Sequence, residues 1–137
     1  MSMVTRQQLS DVLRSAKEVS VDPAMAAADW LARDIDPQRG TAVELLTDPS
    51  VSIKNLQKAK DVYKTMRILG ESANDRRVAA RLYAATIAAG LIHHGKRISR
   101  QSDAALTRGL KALLADLDMP RPIRRLAESG LAILGSL

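Results

Sequence analysis

The sequence predicts an all-α fold, a compact single-domain bundle in which six or seven helices surround a central apolar helix at about residues 75–94. Apolar residues recur with the period of a helix, and no segment alternates with the period of two that is typical of a half-buried strand. From Leu82 to Ile92 the chain carries no charge, and a helix that is apolar on every face must be surrounded by protein or lipid. This run is shorter than the roughly 20 apolar residues that span a bilayer, so we expect closely packed helices around its alanines and glycine.

Three helices are predicted in the first 50 residues, at 5–19, 24–33 and 41–46. Thr5 and Gln8 have the three-residue spacing of a capping box, in which two side chains satisfy free backbone N–H groups at a helix start. Thr41 and Glu44 repeat that spacing before the short third helix. Pro23 lies in the first turn of the second helix, where proline is favoured because its missing N–H has no helical partner to lose.

Four further helices are predicted, at 52–69, about 75–94, about 102–117 and 123–134. Gly70 and Gly95 follow two of them, and glycine is a common residue just after a helix. Leucines of the sixth helix, up to Leu117, form a stripe that we expect to be buried. All linkers are short, so we expect one domain over residues 1–137 in which neighbouring helices are mostly antiparallel.

The charge of the chain is unevenly distributed. The net charge is +6, but residues 1–50 hold five basic and eight acidic side chains, a balance of −3, whereas residues 51–137 hold sixteen and seven, a balance of +9. Such asymmetry often indicates an anionic partner. Alternatively, the acidic N-terminal part (1–50) packs on the basic helical part (51–137) and neutralises it, and the sequence leaves both interpretations open.

The start of the central helix is the most unusual local arrangement. Arg76, Arg77 and Arg81 lie in its first two turns, where the helix dipole disfavours cations. A compensating negative group is therefore expected. It is either an acidic partner or phosphate bound there, or an internal acid such as Glu71 or Asp75, and internal pairing is the favoured interpretation.

Two further basic groups are candidates for binding an anionic partner. One is a stripe at i, i+4 and i+7 on the fourth helix, and the other lies in the loop after the central helix, beside serine hydroxyls. Their members are Lys60, Lys64 and Arg67 in the stripe, and Lys96, Arg97, Arg100, Arg108 and Lys111 around the loop. A stripe of this kind can follow a phosphate backbone, but it is more often only the solvated face of a helix. Three arginines at the start of the last helix, at 121, 124 and 125, form an additional group.

Catalytic residues, cofactors and metals are not expected. The chain has no cysteine and contains neither a G-x-S-x-G elbow nor a phosphate-binding loop. His93 and His94 point about 100° apart on a helix, so they form a poor chelating pair. The first residues contain no apolar core of a secretory signal, and a cytoplasmic location is the expectation.

These observations predict a non-enzymatic interaction module that binds an acidic protein partner through a basic surface. The alternative is a nucleic-acid-binding protein that makes mainly phosphate-backbone contacts, although no known nucleic-acid motif fits and the chain has only three aromatic residues. A third interpretation is a ligand pocket beside Ala85, Ala89 and Gly90. No membrane partner is expected, and a homodimer through the apolar C-terminal segment 130–137 is a secondary expectation.

Overall fold

The computed structural model describes residues 5–19 and 22–135, and these residues form seven helices and no strand. The helices are α1 (Arg6–Val19), α2 (Pro23–Ile35), α3 (Ala42–Thr47), α4 (Ile53–Leu69), α5 (Ala73–His94), α6 (Asp103–Ala115) and α7 (Arg121–Ile133). The prediction of an all-α bundle is therefore confirmed.

The central position of α5 follows from its composition. It packs against α2, α3, α4, α6 and α7, and every residue from Ala84 to Gly90 is buried. Thr86 is the polar exception in this stretch, and its hydroxyl donates to the carbonyl of Leu82 at 2.7 Å. The helix begins directly after Ser72, which forms a capping box with Asp75 at the helix start.

Small residues let the helices around α5 approach closely, as expected. Gly130 of α7 faces α5 and α6 so tightly that an added Cβ would lie 3.1 Å from Ala88 Cβ and 3.1 Å from Leu110 Cδ1. Ala85 and Ala89 are fully buried and line none of the clefts described below. The third interpretation, a ligand pocket beside these residues, therefore receives no support from the cleft linings.

Local capping accounts for most helix boundaries. The Thr5 hydroxyl accepts from the Gln8 N–H, and the Gln8 side chain accepts from the Thr5 N–H. Thr41 likewise accepts from the N–H of Glu44. At the end of α6 the prediction was wrong, because the backbone becomes extended at Asp116 and leaves Leu117 78% exposed.

Tyr63 is committed to packing, and the two histidine side chains are committed to contacts with backbone carbonyl oxygens. Tyr63 is fully buried, its hydroxyl has no hydrogen-bond partner, and burial raises its pKa above the ordinary value. His93 Nε2 lies 2.9 Å from the carbonyl oxygen of Leu46, and His94 Nε2 lies 2.7 Å from that of Val51. The two histidines thus connect the end of α5 to α3 and the segment after it.

The C-terminal apolar segment divides between core and surface. Gly130 and Leu131 are buried in the bundle, whereas Ile133 is 55% exposed. Residues 136–137, which belong to the segment expected to form a homodimer, lie outside the described residues. Among the described helices, none combines the length and the apolar character that crossing a membrane requires.

Candidate functional site

The arginines at the start of α5 are engaged within the chain. Arg77 and Arg81 both donate to the same oxygen of Asp116, Oδ2, and the Arg81 Nε lies 3.0 Å from it. Arg76 donates to the carbonyl oxygens of Gly70 and Glu71, at 3.0 and 3.1 Å. The compensating carboxylate is thus internal, but it comes from the end of α6 rather than from the acids that the sequence suggested.

Asp116 is held tightly by this pair. Its side chain is only 9% exposed. Burial alone would raise the pKa of Asp116, but the hydrogen bonds from Arg77 and Arg81 outweigh burial and hold that pKa below its ordinary value. The carboxylate therefore stays ionised and joins the start of α5 to the end of α6.

Two ion pairs among the described residues join residues 1–50 to residues 51–137, and in neither does an acidic side chain of 1–50 pair with a basic side chain of 51–137. Lys17 Nζ lies 2.7 Å from Glu71 Oε2 and 3.9 Å from Asp75 Oδ2. In both pairs the basic group belongs to residues 1–50 and the carboxylate to residues 51–137. These contacts engage carboxylates of the basic part and leave its excess of positive charge in place.

Four of the predicted basic residues converge on one surface cleft of about 420 Å³ between α4, α5 and the loop that follows α5. We call it the basic cleft, and it is lined by Gln57, Lys60, Asp61, Lys64, Tyr83, Arg97, Ile98, Ser99 and Arg100. The stripe on α4 and the cluster in the loop thus meet at Lys60, Lys64, Arg97 and Arg100. The remaining members, Arg67, Lys96, Arg108 and Lys111, are exposed outside this lining.

The loop reaches α4 because it folds back over Gly90. Gly95 ends α5 with a positive φ of 64°, a conformation that glycine adopts without strain, and the Lys96 N–H then donates to the Gly90 carbonyl. Ile98 is buried against Gly90, where an added Cβ would lie 3.3 Å from Ile98 Cγ1. Lys60 Nζ donates to the Ile98 carbonyl at 2.6 Å, so the loop is fastened to α4.

The cations of the basic cleft differ in what they already bind. Lys64 and Arg100 are exposed and form no hydrogen bond or ion pair within the described residues. Arg97 donates to Asp103 and to the Gln101 carbonyl. Lys60 lies 3.9 Å from Asp61 Oδ1 in addition to its bond with the loop. Two of the four cations are thus free to bind a ligand from outside.

The chemistry of the lining suits the binding of an oxyanion. Ammonium and guanidinium groups donate strong hydrogen bonds to carboxylate and phosphate oxygens, and the side chains of Tyr83, Ser99 and Gln57 add neutral polar groups. The serine could be identified from the sequence because it lies beside the basic residues of the loop. Tyr83 could not, because an aromatic residue within an apolar helix gives no signal that it borders a cleft.

A second cleft of about 470 Å³ lies between α6 and α7, and we call it the arginine cleft. It is lined by Leu114, Arg121, Arg124, Arg125, Glu128 and Ser129. In the described part of the chain, no group of three or more His, Cys, Asp or Glu residues is arranged to hold a metal ion. The chain matches no protein-family model, no curated protein and no solved structure. Its function is therefore inferred from the geometry and charge of these clefts.

Proposed function

We propose that this chain is a non-enzymatic interaction module whose basic cleft binds an acidic segment of a partner protein. The observation that carries the proposal is the convergence of Lys60 and Lys64 from α4 with Arg97 and Arg100 from the loop. Like charges repel, and bringing four cations together opposes folding unless an anion compensates them. A partner that supplies carboxylates relieves this repulsion.

Binding fits the cleft better than catalysis. Asp61 is the carboxylate in the lining, and it is exposed beside the ammonium group of Lys60. A general base must lie within hydrogen-bond reach of the proton that it abstracts and is usually oriented by a neighbouring group. The Asp61 carboxylate accepts no hydrogen bond within the described residues. The lining contains no histidine or cysteine that could serve as base or nucleophile.

An acidic protein segment suits the cleft better than a nucleic-acid backbone. A duplex presents phosphates at regular short intervals and is bound by cations that follow it over a length. In this chain Arg76, Arg77 and Arg81 are engaged internally and do not extend such a track. The exposed Arg67 extends it by a single turn of α4. The balance of +9 on residues 51–137 is what supports the nucleic-acid alternative.

The test is fluorescence anisotropy with a fluorescein-labelled peptide of consecutive glutamates, titrated with the protein at low and at physiological salt. Lys64→Glu/Arg100→Glu should weaken peptide binding by about tenfold or more, since about 1.4 kcal/mol of lost attraction corresponds to a factor of ten. The matched control is Arg108→Glu/Lys111→Glu, which makes the same change of net charge at two exposed residues of α6 outside the cleft. It should change the affinity by less than about threefold, because exposed charges at a distance are screened.

Three results would contradict the proposal. One is the absence of peptide binding even at low salt, and another is an equal loss of affinity in both double variants. The third is tight binding of labelled duplex DNA or RNA that falls log-linearly with salt, is lost in the cleft variant and exceeds peptide binding. That last result would establish the nucleic-acid alternative.

A further inference from the structure

Two pairs of arginines in this chain have the same spacing but different surroundings. Arg77 and Arg81 are four residues apart near the start of α5, and both donate to one carboxylate oxygen of Asp116. Arg121 and Arg125 are also four residues apart, near the start of α7, and both line the arginine cleft. They are exposed and form no hydrogen bond or ion pair within the described residues. The first pair shows that this spacing lets two guanidinium groups bind a single oxyanion.

The charge of the arginine cleft is unbalanced. Its lining holds three guanidinium groups against the single carboxylate of Glu128, an excess of two positive charges. Arg124 is fixed by a hydrogen bond from its Nε to the Met119 carbonyl at 3.1 Å, so its position does not depend on a ligand. Around Asp116, by contrast, two guanidinium groups bind one carboxylate, so the excess is a single positive charge.

A phosphoryl group matches this excess. A phosphate monoester carries about −1.5 to −2 charges at neutral pH and offers three acceptor oxygens, whereas a carboxylate carries one charge. Guanidinium groups also bind phosphate in a bidentate geometry. A cleft of about 470 Å³ is of the size that holds a small molecule, and Glu128 and Ser129 can bind hydroxyl groups of such a ligand.

We propose that the arginine cleft is a second binding site, which holds the phosphoryl group of a small phosphorylated ligand between Arg121 and Arg125. The site uses α6 and α7 and shares no residue with the basic cleft. Leu114 forms its apolar wall, and Glu128 selects ligands that carry a hydroxyl donor beside the phosphoryl group. The proposal is therefore independent of the partner of the basic cleft.

The test is an NMR titration of the ¹⁵N-labelled protein with glucose 6-phosphate, inorganic phosphate and glucose at pH 7.5 and low ionic strength. Amide shifts should concentrate at Leu114, Arg121, Arg125 and Ser129 with both phosphate compounds. Glucose should produce none, and glucose 6-phosphate should bind more tightly than inorganic phosphate. Arg121→Gln/Arg125→Gln should weaken the binding of glucose 6-phosphate by about tenfold or more, because it removes two charge-assisted donors.

The matched control is Arg6→Gln/Arg67→Gln, which removes two exposed arginines that line neither cleft and should leave the affinity within about threefold. Shifts that spread over all basic residues, or an equal loss in both variants, would overturn the proposal. So would binding of a DNA duplex through these residues without binding of glucose 6-phosphate. If the cleft variant fails to fold, the amide shifts of the unmodified protein still test the proposal. Shifts that fall outside α6 and α7 would refute the site.

Discussion

The charged residues around Arg39 and those of the basic cleft are arranged in opposite ways. We call the first group the Arg39 cluster, and its members are Asp36, Arg39, Asp48, Ser50 and Asn55. Arg39 donates to Asp36 Oδ2 at 2.7 Å, to Asp48 Oδ2 at 3.0 Å and to Ser50 Oγ at 2.6 Å. Asn55 donates to the same oxygen of Asp36 from the first turn of α4. The guanidinium group therefore has acceptors around it and joins the end of α2 to the end of α3, and Asn55 joins Asp36 to α4.

The lining of the basic cleft holds four cationic side chains and the single carboxylate of Asp61. Lys64, on α4, and Arg100, in the loop after α5, form no hydrogen bond or ion pair within the described residues. A buried charge network stabilises a fold only when its members satisfy one another. Exposed charges contribute little to stability and remain free to bind another molecule. This contrast is our reason for proposing a folding role for the Arg39 cluster and a binding role for the basic cleft.

The largest effect is expected from removing the carboxylate at the centre of the Arg39 cluster. Asp36 is 5% exposed and accepts from Arg39, Asn55 and the Gln38 N–H. Asp36→Ala should lower the free energy of unfolding by about 3 kcal/mol, because it leaves partly buried donors without an acceptor. Urea denaturation measures the loss.

The control for this substitution is Asp34→Ala, at an exposed residue of α2 that has no described partner. It should change the free energy of unfolding by less than about 0.5 kcal/mol. Peptide binding by folded Asp36→Ala should equal that of the unmodified protein. A stability change no larger than that of the control would show that the Arg39 cluster is not what holds α2, α3 and α4 together.

Acid should lower the free energy of unfolding, and this is the second largest effect that we expect. Burial would raise the pKa of Asp36, but hydrogen bonds from Arg39, Asn55 and the Gln38 N–H outweigh burial and lower it, and Asp116 behaves in the same way. The unfolded chain, with ordinary pKa values of about 4, then binds more protons than the folded chain in acid. The stability from these two carboxylates is therefore complete above about pH 5 and falls as the pH drops through their folded pKa values.

Urea denaturation between pH 7 and pH 3 tests this expectation, and Asp36→Ala should show a shallower loss of stability in acid. The Asp29 carboxyl group has the opposite effect on the pH dependence of stability, because burial raises its pKa. Its ionisation opposes folding at neutral pH, and Asp29→Asn should therefore make the acid loss steeper. An Asp36→Ala profile parallel to that of the unmodified protein would contradict the role of this carboxylate.

The sequence predicted the helices well because their signals are local. Thr5, Thr41 and Ser72 each cap the helix that follows through an acceptor bond to a backbone N–H three residues later. Such a bond depends only on nearby residues, and it fixes where a helix begins. The prediction was wrong at Leu117, where leucine periodicity continued but the backbone of Asp116 had already left the helix.

The convergence of basic residues at the clefts could be predicted only in part, because it depends on how the helices pack. Lys60 and Lys64 could be identified as a stripe on one helix, and Arg97 and Arg100 as a cluster in one loop. Their convergence requires that α4 and α5 pack side by side and that the loop folds over Gly90, and neither fact has a local signal. For the same reason Asp116 was not predicted as the partner of Arg77 and Arg81, which lie 39 and 35 residues before it.

The smallest effect on stability is expected from removing two cations of the basic cleft. Lys64→Gln/Arg100→Gln removes two charges that have no acceptor in the described part of the chain, and it also reduces the repulsion among the four cations. The urea midpoint at low salt should therefore stay unchanged or rise, and any rise should disappear at high salt, where the repulsion is screened. The same variant should bind the glutamate peptide more weakly. If the midpoint instead fell as far as it does for Asp36→Ala, these cations would hold the fold together, and the distinction between a region that folds the chain and a region that binds a partner would be lost.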